Sequence, residues 1–419
     1  MNHKKQQEHP IKMILVVGDG MADYPLPELG NKTPLQAAYK PNMDAIAAKG
    51  QNGLLKTVPD ESKPGSDTAI LSVLGYDPRQ FCPARGALEA AARGIQLGEN
   101  DAVFRCNLIT AENGKIADYS AGHITTKEAE QLIAAVQEVF GKSGGIEFFT
   151  GLDYRHFLVL RNLPKTDAIV CVPPHDFIGS EISAVLPKTE NAEMEKATAL
   201  LRRTILESKA VLESHPVNIA RWKAGKRLGN MLWPWGGGGK PVLPSFMERY
   251  GLRAAVISAV DLVKGIGIYT GMQVINVVGA TGLYDTNYEG KAEAALKALE
   301  ENDLVFVHVE APDEAGHERD IVKKVKAIED LDRRLLGTLL AGVKEPYAIA
   351  VLPDHPTPIS VGTHTRDAVP FAIASPFLAA DKIQKFDEES AKGGAFGLVT
   401  DKSLMSLLVS SAKLGEKSS

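Results

Sequence analysis

Lys12-Met13-Ile14-Leu15-Val16-Val17-Gly18-Asp19-Gly20 is the stretch on which the fold turns. Lys12–Val17 is an apolar, β-branched run that ends at Gly-Asp-Gly, so it reads as a buried strand feeding a turn. The same texture returns only much later. Ala254–Val260, Gln273–Val278, Leu304–Val309, Tyr347–Leu352 and Phe371–Ala374 are expected strands. Glu289–Glu301, Glu318–Leu340 and Lys402–Lys413 are expected helices between or after them. Strands alternating with helices imply a mostly parallel sheet flanked by helices on both faces. Near the N-terminus, Asn42–Lys49 reads as a short helix stopped by Gly50. The middle of the chain differs. Strand-like pieces, Val103–Thr110, Phe157–Leu160 and Ile169–Val172, stand among helical stretches Thr126–Val139 and Asn191–Glu213. The expected organisation is therefore an α/β core made of 1–77 and 233–419. A smaller α+β domain, 78–232, is inserted into it, and the run Gly236–Gly239 serves as a hinge.

Bulk properties narrow the function. The 419 residues carry 47 Lys+Arg against 52 Asp+Glu, a net charge of −5, with 44% hydrophobic residues. That balance points to neither a nucleic-acid nor a membrane partner, which would call for a basic surface. The apolar runs are strand length, far below the roughly 20 residues of a membrane span, and Met1–Pro10 has no apolar stretch of the kind a signal peptide needs. Cys82, Cys106 and Cys171 are odd in number and far apart, with no Cys-x-x-Cys, so the expected setting is reducing and cytoplasmic.

Two phosphate-loop readings fail. Gly236–Gly239 followed by Lys240 lacks the upstream glycine of a P-loop, Pro234 standing there, and Pro241 replaces the Ser/Thr that would bind magnesium. Gly265-Ile266-Gly267 lacks the third glycine of a dinucleotide fingerprint.

The chemistry-bearing residues gather where strands end. Asp19 closes the first strand. Asp313 and His317 follow the strand ending at Val309. Asp354-His355 follows the strand ending at Leu352, and His364 comes shortly after in Gly-Thr-His-Thr. Ligands of open α/β sheets bind at the carboxyl ends of strands. Singly, each cluster fits an ordinary turn. Jointly, three carboxylates and three imidazoles on loops at one sheet edge form a candidate two-metal site, with no thiolate among them. That donor set suits manganese, zinc or magnesium. Ser66, in Lys63-Pro64-Gly65-Ser66-Asp67-Thr68-Ala69, fits a helix N-cap and equally a nucleophile at a metal and a helix N-terminus.

The order Gly18-Asp19-Gly20, Gly65-Ser66-Asp67-Thr68-Ala69, Asp313-Glu314-Ala315-Gly316-His317, Asp354-His355-Pro356-Thr357-Pro358 and Thr363-His364-Thr365 resembles the alkaline phosphatase superfamily. Within it the chain is similar to the cofactor-independent phosphoglycerate mutases of the short, archaeal type. Leu74–Pro78, Ala84-Arg85-Gly86, Ser120–His123 and Ile257–Gly265 carry that closer likeness, which runs from about Met13 to Leu408. The resemblance implies that Asp19, Ser66, Asp354 and His355 hold one divalent ion and that Asp313, His317 and His364 hold another. It implies a phosphoserine at Ser66 and a lysine, Lys264, near the transferred phosphate. It also implies interconversion of 3-phosphoglycerate and 2-phosphoglycerate without 2,3-bisphosphoglycerate, with glycerate held by the inserted domain. There His123 is the candidate base and substrate ligand, a surface loop histidine being the alternative, and Arg85, Arg105 and Arg221 are candidate substrate ligands, because an arginine fork binds two oxygens at once, a surface salt bridge being the alternative for each. A metal-dependent phosphatase or phosphodiesterase would share the core residues. A phosphopentomutase is expected to carry threonine in place of Ser66. A non-catalytic metal-stabilised binding protein would form no phosphoserine.

Overall fold

The computed structural model describes residues 11–81, 83–143, 145–163, 168–400 and 403–413. The chain divides into two compact units, 1–82 with 243–419, and 83–242. The crossings expected at 77/78 and 232/233 therefore lie at 82/83 and 242/243.

The first unit holds an eight-stranded sheet. Lys12–Gly18 lies inside it, parallel to Leu304–Val309 on one side and to Tyr347–Leu352 on the other. Ala254–Ile257 and Gln273–Ile275 extend the sheet beyond Leu304–Val309, both in parallel. Val369–Ala374 and Gln51–Lys56 extend the other side, the first antiparallel to Tyr347–Leu352, and Gly397–Thr400 forms that edge. Ile14 and Val16 pack with Val305, Val307, Ile349 and Val351 under the helices Pro41–Lys49, Tyr288–Glu301 and Ile321–Asp330. The alternate set, Met13, Leu15 and Val17, is equally buried. Burial on both faces explains why the strand shows no polar alternation.

Register sets where the polar residues emerge. Gly18 pairs with Val309, and Val17 with Leu352. The three central strands thus end level, and the residues after each come out side by side.

Two expectations about local structure change. The helix expected over Glu318–Leu340 is several pieces: Ile321–Asp330, a π-helical turn Leu331–Leu336, and Gly337–Gly342. The Asp332 carboxylate inside that turn accepts the N–H groups of Asn42 and Met43, at 3.2 and 2.7 Å, and so caps another helix. Asp313 and His317 are not on a loop but on the helix Ala311–His317, one turn apart.

In the second unit, Ala102–Glu112 is the spine. Arg155–Leu160 pairs on one side of it and Met231–Gly239 on the other, both antiparallel. Phe104, Cys106, Leu108, Leu158 and Leu232 face the helices Thr126–Phe140 and Glu195–Glu213. The glycine run is strand, not hinge. It belongs to Met231–Gly239, which carries Pro234 as edge strands tolerate. Glycine is required there because a Cβ on Gly237 would overlap the Phe104 ring, and one on Gly238 the Cβ of Ala84. Gly237→Ala should therefore lower stability by roughly 1–3 kcal/mol, as overpacking does. Gly239→Ala, whose Cβ would lie 3.6 Å from the Asp101 carbonyl, should not. Thermal unfolding of the two variants side by side checks this.

Candidate active site

Ser66 is the first residue of the helix Ser66–Val73, and Gly65 is its N-cap. The hydroxyl is thus not used as a cap. It lies 3.3 Å from Asp19 Oδ2 and 3.2 Å from His355 Nε2. His355 Nε2 is also 3.4 Å from Asp19 Oδ1 and 3.4 Å from Asp354 Oδ2. Asp19, Asp354 and His355 are wholly buried. Asp354 Oδ1 accepts the N–H groups of Gly20 and His355, at 3.1 and 2.8 Å, which fixes its other oxygen toward the cluster.

A second group adjoins the first. His317 Nε2 is 3.1 Å and His364 Nε2 3.5 Å from the Asp313 carboxylate, and the two imidazole nitrogens face each other at 3.0 Å. The His355 ring lies 4.2 Å from that of His364, tilted 41° to it, between the two groups. The fold thus brings together Asp19, Ser66, Asp313, His317, Asp354, His355 and His364.

Sequence reasoning missed His308 and Glu310. His308 Nε2 is 2.9 Å from Asp19 Oδ2, and its Nδ1 is 3.2 Å from Ser258 Oγ. Glu310 lies 3.9 Å from His308 and is held close against Asp19. Both stand at the carboxyl end of Leu304–Val309, as Asp19 and Asp354 do at theirs, and that position was the available signal.

This assembly is short of positive charge. Asp19 Oδ1, Asp354 Oδ2 and Glu310 Oε2 are buried without a hydrogen-bond partner. Burial and repulsion from Asp354 push Asp19 well above the usual carboxylate range. Burial and the Asp313 charge push Glu310 up to about 8. Burial would raise Asp313 too, but hydrogen bonds from His317 and His364 carry it well below its ordinary value. The hydrogen bond to Asp313 in turn lifts His317 to about 9. Burial and the Lys291 charge depress His308 to about 3. Buried carboxylates with unpartnered oxygens and convergent imidazoles are what a divalent cation satisfies. Asp19–Asp354–His355 and Asp313–His355–His364 each place one donor atom per residue within 4.8 Å of the others, as do Asp19, His308 and Glu310.

The remaining candidates are placed differently. Lys264 is half-buried on the helix Asp261–Tyr269, close enough to oppose the charge on Lys291. His123 is exposed, at φ +50°. Arg221 does not present its fork to a ligand. It is buried, and it donates to Glu128 Oε2 at 2.8 Å, to the Arg227 carbonyl at 2.8 Å and to the Ala121 carbonyl at 2.7 Å. It braces the turn that carries His123. Arg85 is half-exposed, 4.0 Å from Glu89. Arg105 also pairs with Glu89, at 3.0 Å, and lies 4.2 Å over the Trp235 ring.

Arg105 belongs to a pocket of about 250 Å³ lined by Asn107, Tyr119, Tyr154, Arg155, His175 and Trp235. Its origin is register. Arg105 and Asn107 share one face of the spine strand, opposite Trp235 and Arg155 respectively. That face is apolar on either side of the pocket, with Val103, Phe157 and Val159 in one cluster and Ile109, Met231 and Trp233 in another. Arg155 lies 5.1 Å over the Tyr154 ring, and Trp235 donates to Asn107 at 2.9 Å.

A family model for 2,3-bisphosphoglycerate-independent phosphoglycerate mutase matches residues 47–218. The Methanosarcina mazei protein bearing that name is 52% identical over 405 residues, covering 96% of this chain and 100% of the relative. The chain belongs to the 2,3-bisphosphoglycerate-independent phosphoglycerate mutases. The mutase is also 48% identical to a probable enzyme of that name from Geobacter sulfurreducens, over 93% of this chain and 97% of the relative. Its fold matches the PH0037 protein of Pyrococcus horikoshii with a TM-score of 0.83 at 31% identity, over 98% of this chain and 100% of that one. It matches the cofactor-independent phosphoglycerate mutase of Thermoplasma acidophilum with a TM-score of 0.70 at 28% identity, over 96% and 100%. Among the described residues no helix is long and apolar enough to cross a membrane.

The charge shortage makes a prediction. Glu310, Asp19 and His317 each bind a proton more tightly folded than unfolded. In the metal-free protein these groups therefore take stability away as pH rises, up to about 8 through Glu310 and from 6.5 to about 9 through His317. His308, depressed to about 3, acts in the opposite sense below 6.5, and Lys291, depressed by burial to about 8, does so above about 8. A bound cation removes the cost of the bare carboxylates and competes with their protons. The rise in melting temperature on adding manganese to chelator-stripped protein should be larger near pH 8.5 than near pH 6.5. A rise that shrinks with pH would refute the assignment.

Proposed function

We propose that this mutase interconverts 3-phosphoglycerate and 2-phosphoglycerate through a phosphoserine at Ser66, without 2,3-bisphosphoglycerate. The observation that carries the reading is the Ser66 hydroxyl, free of any capping duty and set against Asp19 and His355. Two divalent ions fit the donor set: one on Asp19, Ser66, Asp354 and His355, the other on Asp313, His317 and His364. Manganese leads, with zinc or magnesium as alternatives. Such ions lower the pKa of the serine hydroxyl and offset charge on the phosphoryl group.

The remaining work falls to the chain. Ser66 Oγ, its proton already given up to solvent, attacks phosphorus as the bond to the glycerate oxygen breaks, and that oxygen takes its proton from His123. The helix that Ser66 opens directs its N–H groups toward the phosphoryl oxygens, and Lys264 adds charge there. Glycerate then turns, and its other hydroxyl attacks phosphoserine, giving its proton to His123 as Ser66 Oγ leaves. Glycerate must be held and water kept out meanwhile. We assign its carboxylate to Arg105 and Arg155, whose guanidinium groups are held over aromatic rings. Arg85 stands beside them through Glu89. We assign the enzyme to the cytoplasm, in keeping with the unpaired Cys106 and Cys171.

Two experiments test this. Ser66→Ala should cut mutase activity by roughly 10³-fold or more while leaving the melting temperature near that of the parent. Quenched wild type should carry phosphate on Ser66 by mass spectrometry. Substantial activity in Ser66→Ala would end the phosphoserine reading. Arg155→Gln should let water compete for phosphoserine, raising the ratio of inorganic phosphate to 2-phosphoglycerate formed from 3-phosphoglycerate. An unchanged ratio would remove Arg155 from the glycerate site. A wild type that releases mainly phosphate would make the protein a phosphatase.

A further inference from the structure

We propose that Lys324 is a positioning residue for the metal centre, a single buried ammonium that sets the spacing of the ligand-bearing loops; this rests on the metal reading above. Lys324 lies on the helix Ile321–Asp330 and is wholly buried. An ammonium has three protons to donate, and here each has an acceptor. They are Asp23 Oδ2 at 2.7 Å, the Thr357 carbonyl at 2.8 Å and the Ala22 carbonyl at 3.2 Å. Ala22 is in the loop that begins with Asp19, and Thr357 is in the loop that begins with Asp354 and His355. The third segment is tied in through Thr357, whose hydroxyl donates to Asp313 Oδ1. Thr357 also donates its N–H to the Ala22 carbonyl at 3.3 Å. One cation thus reaches every stretch of chain that supplies a carboxylate ligand.

Asp23 is fixed independently of Lys324. Its carboxylate accepts the N–H groups of Tyr24, at 2.7 Å, and of Ile359, at 3.1 Å. Its own N–H donates to Glu388 at 3.0 Å. The loops leave no slack around this frame. A Cβ on Gly20 would lie 2.5 Å from Asp313 Oδ1, and one on Gly316 would overlap the Thr357 carbonyl. A stabilising ion pair is a poor account of Lys324, because buried pairs seldom outperform apolar replacements. The two carbonyl contacts are what no apolar side chain reproduces.

The test uses the full chain with manganese as the probe. Asp23→Asn combined with Lys324→Met removes the ammonium together with the carboxylate it pairs with. Manganese titration of the chelator-stripped protein, with kcat and KM for 3-phosphoglycerate, is made at a temperature where circular dichroism shows the native fold. The expected result is manganese binding weakened about 10–100-fold, as when a partner of a metal ligand is lost, and a lower kcat with KM little changed. A folded double variant with manganese affinity and kcat within about twofold of the parent would overturn the proposal, even if its melting temperature fell. Should the double variant not fold, Thr357→Val cuts the hydroxyl's links to Asp313 and to His355 Nδ1. It should weaken at least one of the two manganese equivalents, and two unchanged equivalents would overturn the proposal. A wild type that binds no manganese would overturn the metal reading itself, a result distinct from either.

Discussion

Four carboxylates, Asp19, Glu310, Asp313 and Asp354, are crowded at the level ends of three parallel strands, and that concentration of buried negative charge is the constraint to which the rest of the core answers. Alone in a low-dielectric interior, they would protonate or drive the loops apart. The chain supplies part of the compensation. His317 and His364 hold Asp313 ionised, and His308 supports Asp19. It stops short of full compensation, leaving one oxygen each on Asp19, Asp354 and Glu310 without a partner. A site neutralised entirely by its own side chains would have no affinity left for a cation.

The backbone there is nevertheless tight. Gly20 is left-handed, at φ +60°, and approaches Asp313 more closely than any side chain would permit. Gly316 does the same against Thr357. Loops that repel one another electrostatically hold this spacing only if something braces them from outside the ligand set. Lys324 is proposed for that place, since it bonds the Ala22 and Thr357 carbonyls and Asp23 rather than the clustered carboxylates themselves.

The sequence showed the core through its unbroken apolar strands and the polar residues just past them. It hid what depends on pairing. Gln51–Lys56 reads as Gln-Asn-Gly-Leu-Leu-Lys, with no alternation, and is a strand only because Val369–Ala374 and Gly397–Thr400 flank it. His308 was concealed inside an apolar run. The helix that sets Asp313 and His317 one turn apart contains Gly316, and glycine is a poor helix former. Arg155 and Trp235 meet Arg105 only through the register of strands far apart in the chain. For Arg221 a substrate ligand and a salt bridge both stood open, because composition cannot distinguish a fork aimed at substrate from one spent on Glu128 and backbone carbonyls.

The inserted unit raises a different question, which is why one face of a small sheet should be apolar at both ends and cationic in the middle. A purely structural sheet would continue Val103 and Ile109 with a third apolar residue rather than Arg105. Burying that guanidinium costs solvation, and only Glu89 repays it directly, so burial holds Arg105 below its ordinary pKa and Arg85 and Arg155 depress it further. The aromatic rings of Trp235 and Tyr154 hold their arginines in place without cancelling their charge. Positive charge kept in position, walled by rings and reached by Asn107, is what the glycerate site proposed above requires.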